Sequence, residues 1–288
     1  GVPQLPSKDC SNETIVAWVA EMAAHFKSID SKHVLGLGDE GFMCSQDTGH
    51  WAYTCSTGQD SLAFAQLDDI DIVGLHVYPD HWDTDVEWSR EWILDHVAIA
   101  EQVGKPIFIG EYGWRGAAPR NVVFDEWVGA FEEAGGDLAL LWWMQPRNEF
   151  STPPDSDGFT VYCPSAVCTQ TSQRSRGMRT GERDFPPVAE VDLVMARSGE
   201  TSTFDLLAND VSVYGEIDPG SVDLDPQADG VQTSLAIPAG ELSVADGVVT
   251  VVAAEGFTGR VELAYTVTDT EGRVSPPTTF VLQVSAPD

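Results

Sequence analysis

Residues 106–113, PIFIGEYG, decide how this chain is read. Ile107, Ile109 and Glu111 fall on one side of an extended segment because strand side chains alternate with a period of two. A row that packs inward therefore ends on a carboxylate.

Three further segments have the same character: 33–40 (HVLGLGDE), 71–78 (DIVGLHVY) and 138–145 (LALLWWMQ). Helical spacing fills the gaps between them. Ile15, Trp18, Val19, Met22, Phe26 and Ile29 recur at three- and four-residue intervals behind Ser11, a residue type that caps helix N-termini. Trp88, Trp92, Ile93, Val97 and Ala100 repeat the pattern over 85–103, as do Val123, Trp127, Val128 and Phe131 over 121–134. Strands alternating with amphipathic helices predict an α/β segment with a parallel sheet. Periodicity alone leaves open a doubly wound sheet or half of a barrel. No Gly-rich phosphate loop follows any of the strands, which weakens the nucleotide-binding version. Polar and aromatic residues gather at the strands' C-terminal ends, where barrels keep their chemistry.

The composition changes near residue 185. All nine tryptophans precede it, and the segment TGERDFPPVAEVD leads into a stretch without Trp, Cys or His. From 188 to 285, short β-rich runs (VDLVMAR, STFDLLA, GVVTVVA, RVELAYTVTD, TTFVLQVSA) alternate with Asn-, Asp- and Gly-bearing turns. That grammar predicts an all-β sandwich. Two domains are expected, 1–183 and 184–288, a size at which both can bury cores.

A net charge of −31 argues against nucleic acid, because neutralising phosphates needs clustered Lys and Arg. A neutral polysaccharide remains compatible. No apolar run approaches membrane-spanning length. The opening GVPQLPSKDC lacks the basic and apolar regions of a signal peptide, so residue 1 is expected to be a processed or truncated end. Five cysteines in polar loops, without paired metal-ligand spacing, point to disulfides in an oxidising compartment. Short-loop pairings Cys44–Cys55 and Cys163–Cys168 are expected, leaving Cys10 to pair with sequence upstream.

His76 and Tyr78 share one side of their strand, and a carboxylate, an imidazole and a phenol at neighbouring strand ends suffice to hold and aim one reactive Glu. Taken singly, each is more often a solvated rim residue or a satisfied structural one. In combination, GDEGF (38–42), LHVYPDHW (75–82), GKPIFIGEYG (104–113) and LLWWMQ (140–145) resemble the second half of the glycoside hydrolase family 5 domain, nearest its endo-β-1,4-mannanases, over about residues 10–178.

The resemblance implies the C-terminal half of a (β/α)8 TIM barrel, acting on β-mannans without a cofactor. Glu111 matches the nucleophile, and His76 and Tyr78 the residues that position it and the sugar. Trp143 matches the floor of the −1 subsite, with Trp142 beside it facing outward. Trp82 is similar to a sugar-stacking aromatic at the cleft, and Glu40 to a carboxylate that braces the cleft or touches substrate. The family's Asn-Glu-Pro acid/base segment does not occur here. The N-terminal half of the domain is therefore expected to be missing from the chain, which would leave it inactive alone.

The region after 185 is similar to bacterial Ig-like or cadherin-like repeats, through LLANDV, GVVTVVAAEGFTG and YTVTDTEG. Asp210 and Asp269 are candidate Ca2+ ligands or ordinary turn residues, and spacer or attachment duty is expected. A family 5 cellulase, or a non-catalytic carbohydrate-binding or adhesion protein, is the alternative.

Overall fold

The computed structural model describes residues 11–44, 49–147 and 155–287. They form two compact units: the described residues of Gly1–Gly116, Glu126–Met144 and Asp155–Thr160, and those of Ala117–Asp125, Gln145–Pro154 and Val161–Asp288.

In the first unit, three strands, β1 (Val73–Val77), β2 (Ile107–Tyr112) and β3 (Leu138–Leu141), pair in parallel in the order β1-β2-β3. Helices α1 (Asn12–Ile29), α2 (Ser61–Ala65), α3 (Pro79–Trp82) and α4 (Val86–Val103) occur along the chain around them, and α5 (Arg120–Glu133) is divided between the two units after Asp125. β1 is buried throughout, as its apolar run requires. α4 starts where the Asp85 carboxylate accepts the Trp88 N–H and stops at Gly104, whose left-handed conformation closes the C-cap. Trp92, Ile93, Val97 and Ala100 are buried, as the spacing predicted.

Two expectations need correcting. The segment 33–40 is not a regular strand. It runs beside β1 through a single parallel bridge, Gly36 to Ile72, and through the His76 N–H donating to the Glu40 carbonyl. The apolar stripe of α1 is also only partly covered. Val19 and Ala23 are buried, whereas Trp18 is 61% and Ile29 75% exposed. Helical spacing reports which residues share a face, not whether a neighbour covers it.

The second unit is built on a β-sandwich. One sheet has the order β7-β10-β9-β8, from Thr201–Asp205, Val248–Ala253, Gly240–Ala245 and Ser234–Ile237; the other has β11 (Gly259–Tyr265), β12 (Thr278–Ser285) and β6 (Asp192–Arg197). Val194, Leu206, Leu242, Val249, Val251, Tyr265, Phe280 and Leu282 fill the space between. The pairing is antiparallel except that β6 runs parallel to β12, with Phe280 opposite Asp192. A sandwich whose first strand lies beside its last through a sheet crossover produces this direction; turn spacing could not reveal it.

β4 (Met144–Pro146) and β5 (Val161–Cys163) form a two-stranded ribbon, so the run predicted as one strand over 138–145 is broken at Trp142–Trp143. α6 (Ala166–Thr180) belongs to the second unit, ahead of the boundary expected at 183/184. Gln173 Nε2 donates to the Pro186 carbonyl, the Tyr214 hydroxyl donates to that of Arg174, and Ala166 packs with Val188 and Val211.

Cys44–Cys55 and Cys163–Cys168 are disulfides, with Cα separations of 4.3 and 5.8 Å. Cys10 lies outside the described residues. No helix among the described residues is long and apolar enough to cross a membrane.

Candidate active site at the strand ends

β1 and β2 pair residue for residue from Val73–Ile107 to Leu75–Ile109; then the register shifts, and His76 lies opposite Glu111 rather than Gly110. Such a bulge re-aims side chains, and here it sets the imidazole beside the carboxylate. Gly110 makes room: a Cβ there would come within 3.0 Å of His76 Nε2. At Gly113 a Cβ would lie 2.9 Å from the Tyr78 ring and 2.6 Å from Phe159. The two glycines flanking Glu-Tyr in GEYG thus permit the close approach of the aromatic rings around Glu111.

Tyr78, one residue past β1, donates its hydroxyl to Glu111 Oε2 at 2.7 Å. Burial first, and then the Glu111 carboxylate, push the phenol up, so it remains a donor through the physiological range. His76 Nδ1 lies 3.9 Å from Glu111 Oε2 and 3.6 Å from Glu40 Oε1. These are ion-pair distances rather than hydrogen bonds, and Nδ1 has no hydrogen-bond partner among the described residues. Burial opposes protonation of His76. Glu40, Glu111 and Asp39 outweigh that effect and raise its pKa.

Glu111 keeps about a third of its side chain open to solvent (32%), and Oε1 accepts no hydrogen bond among the described residues. Glu40 stands on the far side of His76, and its buried Oε2 has no hydrogen-bond partner among the described residues. Asp39, which the sequence reading passed over, joins the cluster. Its burial lifts it to about 6 against the pull of the Gly41 N–H. Its only sequence signal was adjacency to Glu40.

Trp143 follows β3, next to Trp142, whose N–H donates to the Tyr112 carbonyl one residue past Glu111. Both indoles donate to Asp157, and Phe159 packs edge-on against Tyr78 at 5.1 Å between ring centroids. Neither Asp157 nor Phe159 was legible as a site neighbour, because both reach the strand ends from a distant loop.

Trp82 does not stand beside a cleft. It is 5% exposed and packs edge-to-face against Phe42, Trp88 and Trp92 at 5.6–5.9 Å. Stacking on a sugar needs an open ring face, so Trp82 is a core aromatic; its place on α3, four residues after Tyr78, turns it inward.

Asp210 and Asp269, the Ca2+ candidates, both take hydrogen bonds from within the protein. Asp210 accepts from the Glu190 N–H and the Tyr265 hydroxyl, and Asp269 from the Arg273 guanidinium and N–H, the Glu271 N–H and the Ser212 hydroxyl. Among the described residues, no group of three or more His, Cys, Asp or Glu is placed to hold a metal ion.

A parallel sheet with this strand-end cluster can be set beside known proteins. Over 154 residues the chain is 32% identical to mannan endo-1,4-β-mannosidase A of Aspergillus aculeatus, covering 53% of this chain and 40% of that protein. The enzyme of the same name from Hypocrea jecorina is 34% identical over 158 residues, covering 53% and 35%. Residues 184–281 match the bacterial Ig domain. The chain is thus similar to mannan endo-1,4-β-mannosidases over about half its length, and to the bacterial Ig domain after residue 184.

Solved structures agree. The endo-1,4-β-D-mannanase of Thermotoga petrophila superposes with a TM-score of 0.53 at 30% identity, over 57% of this chain and 52% of that one. The endo-1,4-β-mannanase of Rhizomucor miehei gives 0.54 at 29%, over 60% and 48%. The first unit accordingly has the fold of part of a (β/α)8 barrel, as the motifs implied. The chain spans less than half the length of the curated relatives it matches.

Proposed function

We propose that this chain supplies the nucleophile side of a retaining endo-β-1,4-mannanase site, acting on mannan, galactomannan or glucomannan. The observation that carries the reading is the Tyr78 hydroxyl on Glu111 Oε2 at 2.7 Å, which leaves Oε1 open to attack an anomeric carbon. Glu111 is the nucleophile in this reading. Tyr78 fixes its rotamer, and the Tyr78 hydroxyl disperses charge on the attacking carboxylate. His76 lies between Glu111 and Glu40, so Glu40 braces the site through the imidazole. Trp143 floors the −1 subsite.

Retaining hydrolysis needs a second carboxyl about 5–5.5 Å from the first. As Glu111 attacks, that group protonates the departing glycosidic oxygen; it then takes a proton from the water that displaces Glu111. The sequence has no Asn-Glu-Pro to furnish it. The chain alone is therefore expected not to turn over substrate, since losing proton transfer by itself costs about 10²–10⁴ in rate. The two disulfides favour an oxidising, extracellular setting, and the Ig domain serves as spacer or attachment.

Reducing-sugar release from galactomannan tests this reading. The chain should be silent, and joining it to a four-strand segment that carries Asn-Glu-Pro should give an activity that Glu111→Gln abolishes. Turnover by the chain alone, or by the Glu111→Gln variant of the joined protein, would overturn it.

A further inference from the structure

We infer that the loop 155–160 is a positioning clamp for this site, with Asp157 holding the Trp142–Trp143 pair and Phe159 holding Tyr78 against Glu111, an inference that rests on the reading of the site just given.

Asp157 sits where three N–H groups converge. Trp142 Nε1 donates to Oδ2 at 3.0 Å, Trp143 Nε1 to Oδ1 at 3.4 Å, and the Phe159 backbone N–H to Oδ1 at 2.9 Å. One carboxylate thereby fixes the in-plane orientation of two neighbouring indoles, whose centroids are 6.1 Å apart. These donors outweigh the effect of burial and hold Asp157 below the usual carboxylate range.

The loop is itself braced. Asp155 Oδ1 accepts from the Gly158 N–H at 2.8 Å and from the Thr160 hydroxyl at 2.9 Å. The Arg115 guanidinium donates to the Asp157 carbonyl and lies 4.5 Å over the Phe159 ring, while the Arg115 N–H is taken by Asp80.

Two residues on from Asp157, Phe159 is 3% exposed and meets both Tyr78 (5.1 Å) and His81 (5.3 Å) edge-on. Such edge-on contacts are directional. They bear on the phenol that donates to Glu111. A rigid loop two residues wide thus joins the nucleophile's partner to the subsite floor. A misplacement of about 1 Å at a site of this kind can cost 10²-fold in rate.

The test begins with the chain itself, following the indole 1H–15N resonances of Trp142 and Trp143 from pH 2.5 to 7. Both should titrate together, with a midpoint below the usual Asp range. Asp157→Ala should abolish that titration and displace both resonances. Asp157→Asn, which keeps only one of the two acceptor oxygens and turns an amide N–H toward the other indole, should abolish the titration and displace one indole resonance while leaving the other near its parent position. Indoles that ignore Asp157 would overturn the clamp whatever the enzyme does.

In the joined protein, Asp157→Ala should lower kcat/KM on mannopentaose by about 10- to 100-fold, and Asp157→Asn, which holds one indole of the two, should lose less than Asp157→Ala. A loss under twofold, while Glu111→Gln is inactive, would overturn the positioning role. An active Glu111→Gln variant would instead count against the site reading, with the clamp then judged by the indoles alone.

Discussion

Each unit holds a tyrosine whose hydroxyl donates to a carboxylate at 2.7 Å: Tyr78 to Glu111 in the first, Tyr265 to Asp192 in the second. Their surroundings separate them. Glu111 ends a strand, has one oxygen open and faces an imidazole. Tyr265 is fully buried, and its single proton is offered to the Glu190 carbonyl at 2.9 Å, Asp192 Oδ2 at 2.7 Å and both oxygens of Asp210 at 3.2 Å. One donor cannot satisfy four acceptors, so a proton is favoured on the carboxylates themselves. Burial, with Glu190 and Asp205 adding like charge, lifts Asp192 to about 6; burial and its acidic neighbours lift Asp210 to about 7. In the reading proposed above, the pair with one side open is the reactive element, and the pair with no side open is a structural staple.

The largest effect expected from this contrast is that of Tyr265→Phe. Removing the hydroxyl strips two buried carboxyls of their shared donor, which costs about 1–3 kcal/mol. In a domain of this size that lowers the melting temperature by roughly 4–8 °C per kcal/mol, measurable by calorimetry of the second unit at pH 5. An unchanged melting temperature would show that the cluster is not a staple.

Next comes pH. Asp192 and Asp210 are raised in the folded state, so their stabilisation is full below the unfolded carboxylate value of about 3.9 and is lost as pH rises through about 6 and then about 7. Asp269 has the opposite sign: despite burial, the Arg273 N–H and guanidinium hold it low, and its contribution fades as pH falls below the same unfolded value. The second unit should therefore melt highest near pH 4–5 and lower at pH 8. Asp192→Asn with Asp210→Asn should flatten the alkaline limb. A parent protein more stable at pH 8 than at pH 5 would break the argument.

The smallest effect is that of Tyr78→Phe on stability, expected within about 1 kcal/mol, since water can replace a partner of the partly open Glu111. A larger loss in thermal unfolding would mean that Glu111 is as enclosed as Asp210, and the contrast would collapse.

Much of this was legible in the sequence. Continuous apolar runs followed by helical periodicity determined a parallel α/β segment, because burial on both faces leaves that pattern. Turn-punctuated β runs determined the sandwich, and the spacing of strand-end residues marked Glu111, His76 and Tyr78. Tertiary structure decided the rest. A one-residue bulge chose Glu111 over Gly110 as the neighbour of His76. Packing turned Trp82 into the core, and loop closure brought Asp157 and Phe159 to the strand ends. Local sequence encodes which residues share a face. Which face meets which, across 30 or more residues of intervening chain, depends on contacts that exist only once the chain has folded.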